Sequence, residues 1–351
     1  MIPRNYKDTV QLILSPKLPA LAEKILMGQT TPCTGKESFA HKLEIVPARR
    51  RADLTPPGKH MLIDSAYRLN ETHFHEKCIY KFSKWQYLVK KLTPSHWRIE
   101  VAGDIFSHLV WPYRTVGSLL KVLLCQHGLM SFHSAGFYDG QDVALVLAPS
   151  GTGKTLTTIH FLCRGGGVYN DDTVTVKDGK IIPTPWGMHF WEHRYKNAPE
   201  ILPTNMPVFT GRDKWRLRAS RVLKAASLGM VGLGSRLNIA EYWPGSVPPP
   251  AEPVKIISLR RGEQLRVDTN TPVEVLRNRL WGDLEYQCLP VLRWRDVETI
   301  SGIPFFQAGE FFDRHRNFMD KLFARCRLTT ITVPARYSRE VFECINEAIH
   351  S

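Results

Sequence analysis

The residues best suited to chemistry begin with residues 148–155, where Gly151 and Gly153 precede Lys154 and Thr155. Two glycines allow the backbone to curl with its amides pointing inward, which forms a cradle for an anion at the start of a helix. A lysine can then bind phosphate oxygens, and a threonine hydroxyl can bind magnesium. The segment therefore predicts a phosphate-binding loop. The predicted binding residues are Ser150, Gly151, Thr152, Gly153, Lys154 and Thr155.

The flanking sequence favours this interpretation over a glycine turn that precedes a helix by coincidence. Residues 143–147 form an apolar run typical of a strand that is buried on both faces. Beyond the loop, Leu156, Ile159 and Leu162 recur at helical spacing. Ala148 occupies a position where the usual phosphate-loop pattern has glycine, so the backbone there must adopt an angle that alanine allows.

Two carboxylates follow the loop closely, because Asp171 comes only 17 residues after Lys154. This distance leaves room for one helix, a turn and one short strand, so Asp171 and Asp172 should emerge at the same sheet edge as the loop. There one carboxylate can bind magnesium while the other accepts a proton from an attacking hydroxyl. The alternative is an Asp-Asp turn that caps the next strand, residues 173–176.

These segments together resemble the HPr kinase and phosphoenolpyruvate carboxykinase superfamily, and more specifically the HPr-kinase-related ATP-binding proteins. Upstream, His133 stands in a segment similar to one that precedes the phosphate loop in the family. Downstream, residues 318–349 are similar to the closing strand and helix of the related kinases. Related kinases in peptide-modification gene clusters, including those that phosphorylate lasso-peptide precursors, are a closer comparison than HPr kinase itself.

The resemblance implies an ATP- and Mg²⁺-dependent kinase acting on a hydroxyl, usually that of a serine. It implies that Lys154 binds the phosphates, that Thr155 and Asp172 bind magnesium, and that Asp171 is the catalytic base with His133 nearby. The order of the two aspartates stays open, because adjacent carboxylates titrate as a pair. His133 taken alone is equally compatible with a structural histidine.

One departure concerns the acceptor. HPr kinase carries a glycine-rich signature after the acids, and residues 181–192 occupy its place here with a different composition. HPr is therefore not expected to be the substrate. Trp186 and its neighbours are the first candidates for acceptor recognition, although aromatic residues of this kind also pack in cores.

Bulk composition describes an ordinary soluble protein, with 351 residues of which 43% are hydrophobic and 23% charged. Seven cysteines lack any C-x-x-C pair, which favours free thiols in a reducing compartment. The sequence has no membrane-length apolar run and no signal-peptide core, so a cytoplasmic location is expected. The net charge of +14 favours acidic ligands. Residues 212–224 carry six positive charges and one negative, in a run that fits a nucleic-acid surface, an acidic-peptide groove or a solvated helix.

The expected fold is α/β, an HPr kinase-like mixed sheet with a phosphate loop and flanking helices, preceded by a smaller α+β domain. We expect residues 1–113 to help present the substrate and residues 114–351 to bind ATP and catalyse transfer. The favoured function is a kinase for a serine of an acidic peptide or protein. Alternatives are a small-molecule kinase and a nucleic-acid-associated NTPase, and a carboxykinase is disfavoured by length. No membrane partner is expected, and the sequence leaves a homo-oligomer open.

Overall fold

The computed structural model describes most of the chain. The described residues are 2–27, 30–34, 37–48, 54–63, 65–149, 151–184, 188–190, 210–211, 214–215, 218, 222, 235–237, 239–335 and 338–351. Ser150, Trp186 and most of the basic run 212–224 lie outside the described residues, so the predictions made for them stay predictions.

Strands dominate the described part of the chain. They are β1 (Ile2–Tyr6), β2 (Val10–Leu14), β3 (Thr31–Pro32), β4 (His41–Pro47), β5 (Met61–Ile63), β6 (Tyr67–Leu69), β7 (His73–Tyr80), β8 (Ser83–Thr93), β9 (His96–Gly103), β10 (Leu129–Phe132), β11 (Ala135–Tyr138), β12 (Val143–Leu147), β13 (Gly167–Asn170), β14 (Val174–Lys177), β15 (Lys180–Ile182), β16 (Met188–Phe190), β17 (Ser235–Leu237), β18 (Lys255–Arg261), β19 (Arg266–Asp268) and β20 (Arg327–Val333).

The α-helices are concentrated in the second half of the chain. Those within the described residues are α1 (Ala20–Met27), α2 (Gly117–Gln126), α3 (Lys154–Cys163), α4 (Ile239–Tyr242), α5 (Val273–Gln287), α6 (Leu289–Ser301), α7 (Ala308–Arg325) and α8 (Arg339–His350). The chain is thus a mixed α/β protein, as predicted at that level. None of these helices is both long enough and apolar enough to cross a membrane.

The chain divides into two compact units. The first comprises Met1–Met130 and Glu285–Arg316, and the second comprises Ser131–Leu284 and Asn317–Ser351. Helix α2 packs against β2 and α6 within the first unit. The domain boundary expected after residue 113 stays a prediction. The roles expected for a substrate-presenting and a catalytic domain remain predictions.

The first unit is built on a nine-stranded sheet in the order β3-β1-β2-β4-β9-β8-β7-β6-β5. β4 runs parallel to both β2 and β9, and the pairs from β9 to β5 are antiparallel. Trp294 of α6 packs in the core beside Phe306, with ring centroids 4.3 Å apart. Its indole N–H donates to the buried carboxylate of Glu76 at 3.1 Å, which gives this buried acid a partner.

The second unit contains a six-stranded sheet in the order β13-β11-β12-β18-β20-β19. β12, β18 and β20 are parallel neighbours, whereas β11 lies antiparallel between β12 and β13. Because β11 is antiparallel to both β12 and β13, the strands β12 and β13 point in the same direction, although they are not adjacent in the sheet. Their carboxyl ends therefore lie at one edge, as predicted, although the strands are not neighbours in a parallel sheet.

Helices α3 and α8 cover one face of this sheet. Ile159 of α3 and Ile345 of α8 are fully buried in one apolar cluster with the sheet residues. His160 and Phe342 stack between the two helices, with ring centroids 3.9 Å apart. The helical spacing predicted after the glycine loop is confirmed by the buried positions of α3. This packing fixes the start of α3, where the loop meets the sheet edge.

Candidate active site

The glycine loop, residues 148–155, leaves the carboxyl end of β12 and enters α3. Gly151 and Gly153 have φ values of +84° and +97°, in the left-handed region that favours glycine. Ala148 is fully buried and does not have a positive φ, which explains why alanine is accepted there. The helix begins immediately afterwards, since the amide of Thr157 donates to the carbonyl of Gly153 at 2.9 Å.

Lys154 opens α3 and is almost buried, with 7% of its surface exposed. Its Nζ lies 2.5 Å from Nε2 of His133 and 3.1 Å from the carbonyl oxygen of Ala148. Burial lowers the pKa of Lys154 to about 8, although the carboxylates of Asp172 and Asp171 oppose that change. The ammonium group of Lys154 thus donates to two uncharged acceptors, the imidazole of His133 and the backbone carbonyl of Ala148.

His133 stands between β10 and β11 and joins Lys154 to Asp172. Its Nδ1 lies 3.3 Å from Oδ1 of Asp172. Burial, followed by the positive charge of Lys154, lowers the pKa of His133, so the ring is neutral at pH 7. An ammonium can only donate, so Nε2 must accept from Lys154, and the proton of the neutral ring then lies on Nδ1, the nitrogen nearer to Asp172. His133 therefore accepts from Lys154 on one side and faces Asp172 with its other nitrogen.

Asp171 follows β13 and is buried, with 2% of its surface exposed. The hydroxyl of Thr155 donates to Oδ2 of Asp171 at 3.2 Å. Burial, and next the adjacent negative charge of Asp172, raises the pKa of Asp171 to about 7. The side chain of Asp172 is instead 47% exposed. The two neighbouring carboxylates thus have different surroundings, one beside Thr155 and one beside His133.

Asn170 holds the backbone turn that carries Asp171 and Asp172. Its side-chain oxygen accepts from the amides of Asp172 at 2.9 Å and Thr173 at 3.0 Å. Its amide nitrogen donates to the carbonyl and the hydroxyl of Thr184, both at 3.2 Å. Asparagine commonly shapes such turns through bonds to the following backbone. This positioning role was not predicted, although an asparagine directly before two aspartates is typical of a turn in which the asparagine side chain bonds the following backbone amides.

Two further charged residues reach the site from α5 and were missed by sequence reasoning. Arg279 donates to the hydroxyl of Ser258 at 2.8 Å and to the carbonyl of Leu259 at 2.6 Å, in the middle of β18 and opposite the carboxyl end of β12. The charge of Asp283 raises the pKa of Lys154 and that of His133. Their four-residue spacing places them on one helix face, but no sequence signal connects that face with the glycine loop.

Arg261, also not predicted, ties the glycine loop to the segment after β20. Its guanidinium donates to the carbonyl of Gly151, and also to those of Pro334 at 2.5 Å and Ala335 at 3.4 Å. Thr152 is buried at 1% exposure, and its hydroxyl donates to the carbonyl of Pro149 at 2.5 Å. These bonds hold the loop between two strand ends.

The described predicted residues therefore meet in one place. Lys154 bonds His133, whose Nδ1 lies 3.3 Å from the carboxylate of Asp172, and Thr155 and Asp171 form a hydrogen-bonded pair. No group of three histidine, cysteine, aspartate or glutamate side chains is already arranged as a metal site among the described residues. The arrangement brings together an ammonium group, a hydroxyl bonded to a buried carboxylate, and an exposed carboxylate.

Comparison with known proteins assigns no family. No protein-family model matches the chain. No curated protein matches it either. Among solved structures, the Hpr(Ser) kinase/phosphatase from Coxiella burnetii aligns with 63% of this chain and 94% of its own, at a TM-score of 0.27 and 9% identity. A similarity of this size is too low to assign a function, which must be inferred from the site itself.

Proposed function

We propose that this protein is an ATP- and Mg²⁺-dependent kinase that transfers the γ-phosphate to a hydroxyl, most simply a serine of a peptide or protein. The observation that carries this proposal is the meeting of the glycine loop, Lys154, Asp171 and Asp172 at the ends of β12 and β13. Phosphoryl transfer depends on placing an anion cradle, a metal and a residue that orients the acceptor in one site.

The phosphate side of the reaction belongs to the glycine loop and Lys154. The acceptors of Lys154, His133 Nε2 and the Ala148 carbonyl, are uncharged. A phosphate oxygen makes a stronger, charge-assisted bond with an ammonium group than either of these. We therefore expect Lys154 to transfer its donation to the nucleotide when ATP binds. The negative phosphates would also raise the pKa of Lys154 and keep it protonated.

Magnesium fits Thr155 and Asp171. The hydroxyl and carboxylate oxygens lie 3.2 Å apart, close to the separation of about 3 Å between neighbouring ligands around Mg²⁺. This spacing favours Asp171 as the metal ligand, which reverses the order that the family resemblance implies for Asp171 and Asp172. Asp171 must lose its proton to serve, because a metal binds the ionised carboxylate. When bound, magnesium neutralises charge on the phosphates.

Asp172 is the better placed base in this assignment. Its side chain is 47% exposed, so an acceptor hydroxyl can reach it from solvent. His133 Nδ1 lies 3.3 Å from one of its oxygens, and the other oxygen remains available to an acceptor hydroxyl. In the proposed step the acceptor oxygen forms a bond to the γ-phosphorus, the bond from that phosphorus to the bridging oxygen breaks, and ADP leaves. The hydroxyl proton passes to Asp172.

The nature of the acceptor rests on charge and on the family resemblance. With a net charge of +14, the protein attracts acidic molecules and disfavours basic ones. A serine in an acidic peptide or protein therefore suits it better than a serine in a basic segment. The segment around Trp186 remains the proposed place of acceptor recognition.

The proposal is tested by transfer of labelled γ-phosphate from ATP with Mg²⁺. Acidic serine peptides, free serine and RNA are offered in parallel, and acid-stable label identifies a hydroxyl phosphate. Lys154→Met and Asp172→Asn should each reduce transfer by about 100-fold or more. The control is Asp178→Asn, because Asp178 is exposed in the turn between β14 and β15.

Label on a serine peptide that disappears in both site variants would support the peptide kinase. Label on free serine alone would replace it with a small-molecule kinase. ATP consumption that RNA stimulates, without any labelled acceptor, would contradict the kinase and favour a nucleic-acid-associated NTPase.

A further inference from the structure

Helix α5 presents two arginines with different surroundings. Arg277 makes a surface ion pair with Glu274 and also bonds Asp320 at 3.0 Å. Arg279, two residues later, is partly buried and turns toward the sheet, with Asp283 one helical turn beyond it. Only the second arginine is therefore directed to the edge where the glycine loop begins, and the first provides a matched comparison on the same helix.

The guanidinium of Arg279 is fixed at a defined point of the sheet. It donates from Nη1 to the hydroxyl of Ser258 at 2.8 Å and from Nη2 to the carbonyl of Leu259 at 2.6 Å. In the parallel register of β12 and β18, Ser258 lies opposite Leu147, the last residue of β12 before the glycine loop. Arg279 is thus anchored beside the start of the loop. These two bonds use two of its five N–H groups.

The charges around this point are arranged for an anion. Arg279 and Asp283 both lie close enough to Lys154 for their charges to act on it, the arginine unfavourably and the aspartate favourably. Burial lowers the pKa of Arg279 itself, Asp283 opposes this, and Arg260 adds to the lowering. Two cations that lie close enough to disfavour one another gain stability when an anion binds to both. Within the described part of the chain, Asp283 makes no hydrogen bond or ion pair. It therefore acts on Lys154 and Arg279 only through its nearby negative charge.

We propose that Arg279 binds the terminal phosphate of the nucleotide and stabilises it during transfer, and that Asp283 is a positioning residue that balances the charge of Arg279. This inference rests on the proposed kinase function. A guanidinium suits the role because it is always charged and can bind two phosphate oxygens at once. Arg279 exchanges no proton in the step, so the transfer described above is unchanged.

Nucleotide binding tests the contact without requiring turnover. Titration calorimetry with Mg²⁺ compares ADP with a non-hydrolysable ATP analogue in wild type, Arg279→Gln and Arg277→Gln. We expect Arg279→Gln to bind the ATP analogue at least about tenfold more weakly, since a charge-assisted hydrogen bond is lost, with ADP affinity changed less than about threefold. Arg277→Gln should match wild type for both ligands.

Kinetics then separate a catalytic from a structural role. Arg279→Gln should lower kcat for phosphotransfer by about 100-fold, as removal of a transition-state donor does elsewhere. Asp283→Asn should lower kcat by about tenfold and change the ratio of ATP-analogue to ADP affinity, while the melting temperature stays near that of wild type. Arg279→Lys keeps the positive charge but loses the planar guanidinium that can bind two oxygens, so its kcat should lie between those of wild type and Arg279→Gln.

The outcomes distinguish this inference from the proposed function. Equal losses of affinity for ADP and for the ATP analogue in Arg279→Gln would overturn the inference. Affinities for both ligands that equal those of wild type would overturn it as well. If Arg279→Gln fails to fold, the ratio of ATP-analogue affinity to ADP affinity is measured in Arg279→Lys and Asp283→Asn instead, and a ratio equal to that of wild type in both would overturn the inference. If Arg279→Gln selectively loses affinity for the ATP analogue but the wild-type protein transfers no phosphate, the kinase function is rejected and the phosphate contact is retained. A wild type that binds neither nucleotide would reject both.

Discussion

Nζ of Lys154 lies 2.5 Å from Nε2 of His133, and this contact determines which nitrogen of the imidazole carries the proton. Because the ammonium donates to Nε2, the proton of the neutral ring must lie on Nδ1, 3.3 Å from Oδ1 of Asp172. Before nucleotide binds, the lysine of the glycine loop therefore sets the tautomer of the histidine that lies beside the exposed carboxylate. His133 acts here as a positioning residue.

Replacing His133 should lower kcat more than it changes nucleotide binding. In His133→Ala the carboxylate of Asp172 loses the imidazole that lies 3.3 Å from it, and we expect kcat to fall about 10- to 100-fold with little change in KM for ATP. His133→Asn places an amide N–H near the position of Nδ1 and should recover part of the rate. The control is His350→Ala, because the exposed His350 of α8 bonds the Asn346 carbonyl of its own helix. Equal changes in kcat and KM, without recovery by asparagine, would contradict this role.

Burial of Asp171 should make stability depend on pH. Its pKa in the folded protein is about 7, above the ordinary 3.8, so the folded state binds more protons than the unfolded state between these values. The free energy of unfolding should therefore fall as pH rises from about 4 to 7 and change no further through this group above 7. The shift corresponds to at most about 4 kcal/mol.

Asp171→Asn removes this contribution. Thermal unfolding of variant and wild type, in chelator and without nucleotide, should give a melting-temperature difference in favour of the variant that grows from pH 4 to 7 and then stays constant. A difference that is independent of pH would show that the carboxyl group titrates normally in the folded protein.

The two aspartates should respond differently to magnesium. Asp171→Asn should weaken the apparent affinity for Mg²⁺ at least about tenfold, because a carboxylate ligand becomes a neutral amide. Asp172→Asn should instead lower kcat about 100-fold with Mg²⁺ affinity changed less than about threefold. In wild type, apparent affinity should rise with pH up to about 7, as Asp171 loses its proton. Mg²⁺ titrations of phosphotransfer at fixed ATP measure all three effects, and an exchange of the two phenotypes would restore the order that the family resemblance implies.

Loss of Arg261 should affect nucleotide binding before chemistry. This arginine ties the Gly151 carbonyl to those of Pro334 and Ala335, so Arg261→Ala should release the glycine loop. We expect KM for ATP to rise about five- to tenfold, the equivalent of about one net hydrogen bond, and kcat to change less than about threefold. Arg266→Ala, at an exposed position of β19, is the control. An unchanged KM would show that the loop holds its shape without this bond.

Local sequence determined the strand, loop and helix of the site. An apolar run of five residues forms β12, left-handed glycines form the turn, and helical spacing forms α3, because backbone angles and periodicity act over a few residues. The short distance from Lys154 to Asp171 also placed the acids at the correct sheet edge. The assignment of metal and base to particular aspartates could not follow from sequence, since it depends on which side chain each carboxylate contacts.

Tertiary structure alone decided the rest. It placed β11 between β12 and β13, returned Glu285–Arg316 to the first compact unit, and brought Arg261, Arg279 and Asp283 to the glycine loop. These contacts join residues that are far apart in the chain, and their formation depends on packing of whole sheets and helices instead of local backbone preference. The sequence by itself thus determined which groups are available for phosphate chemistry, and the packing of the second unit decided which of them meet.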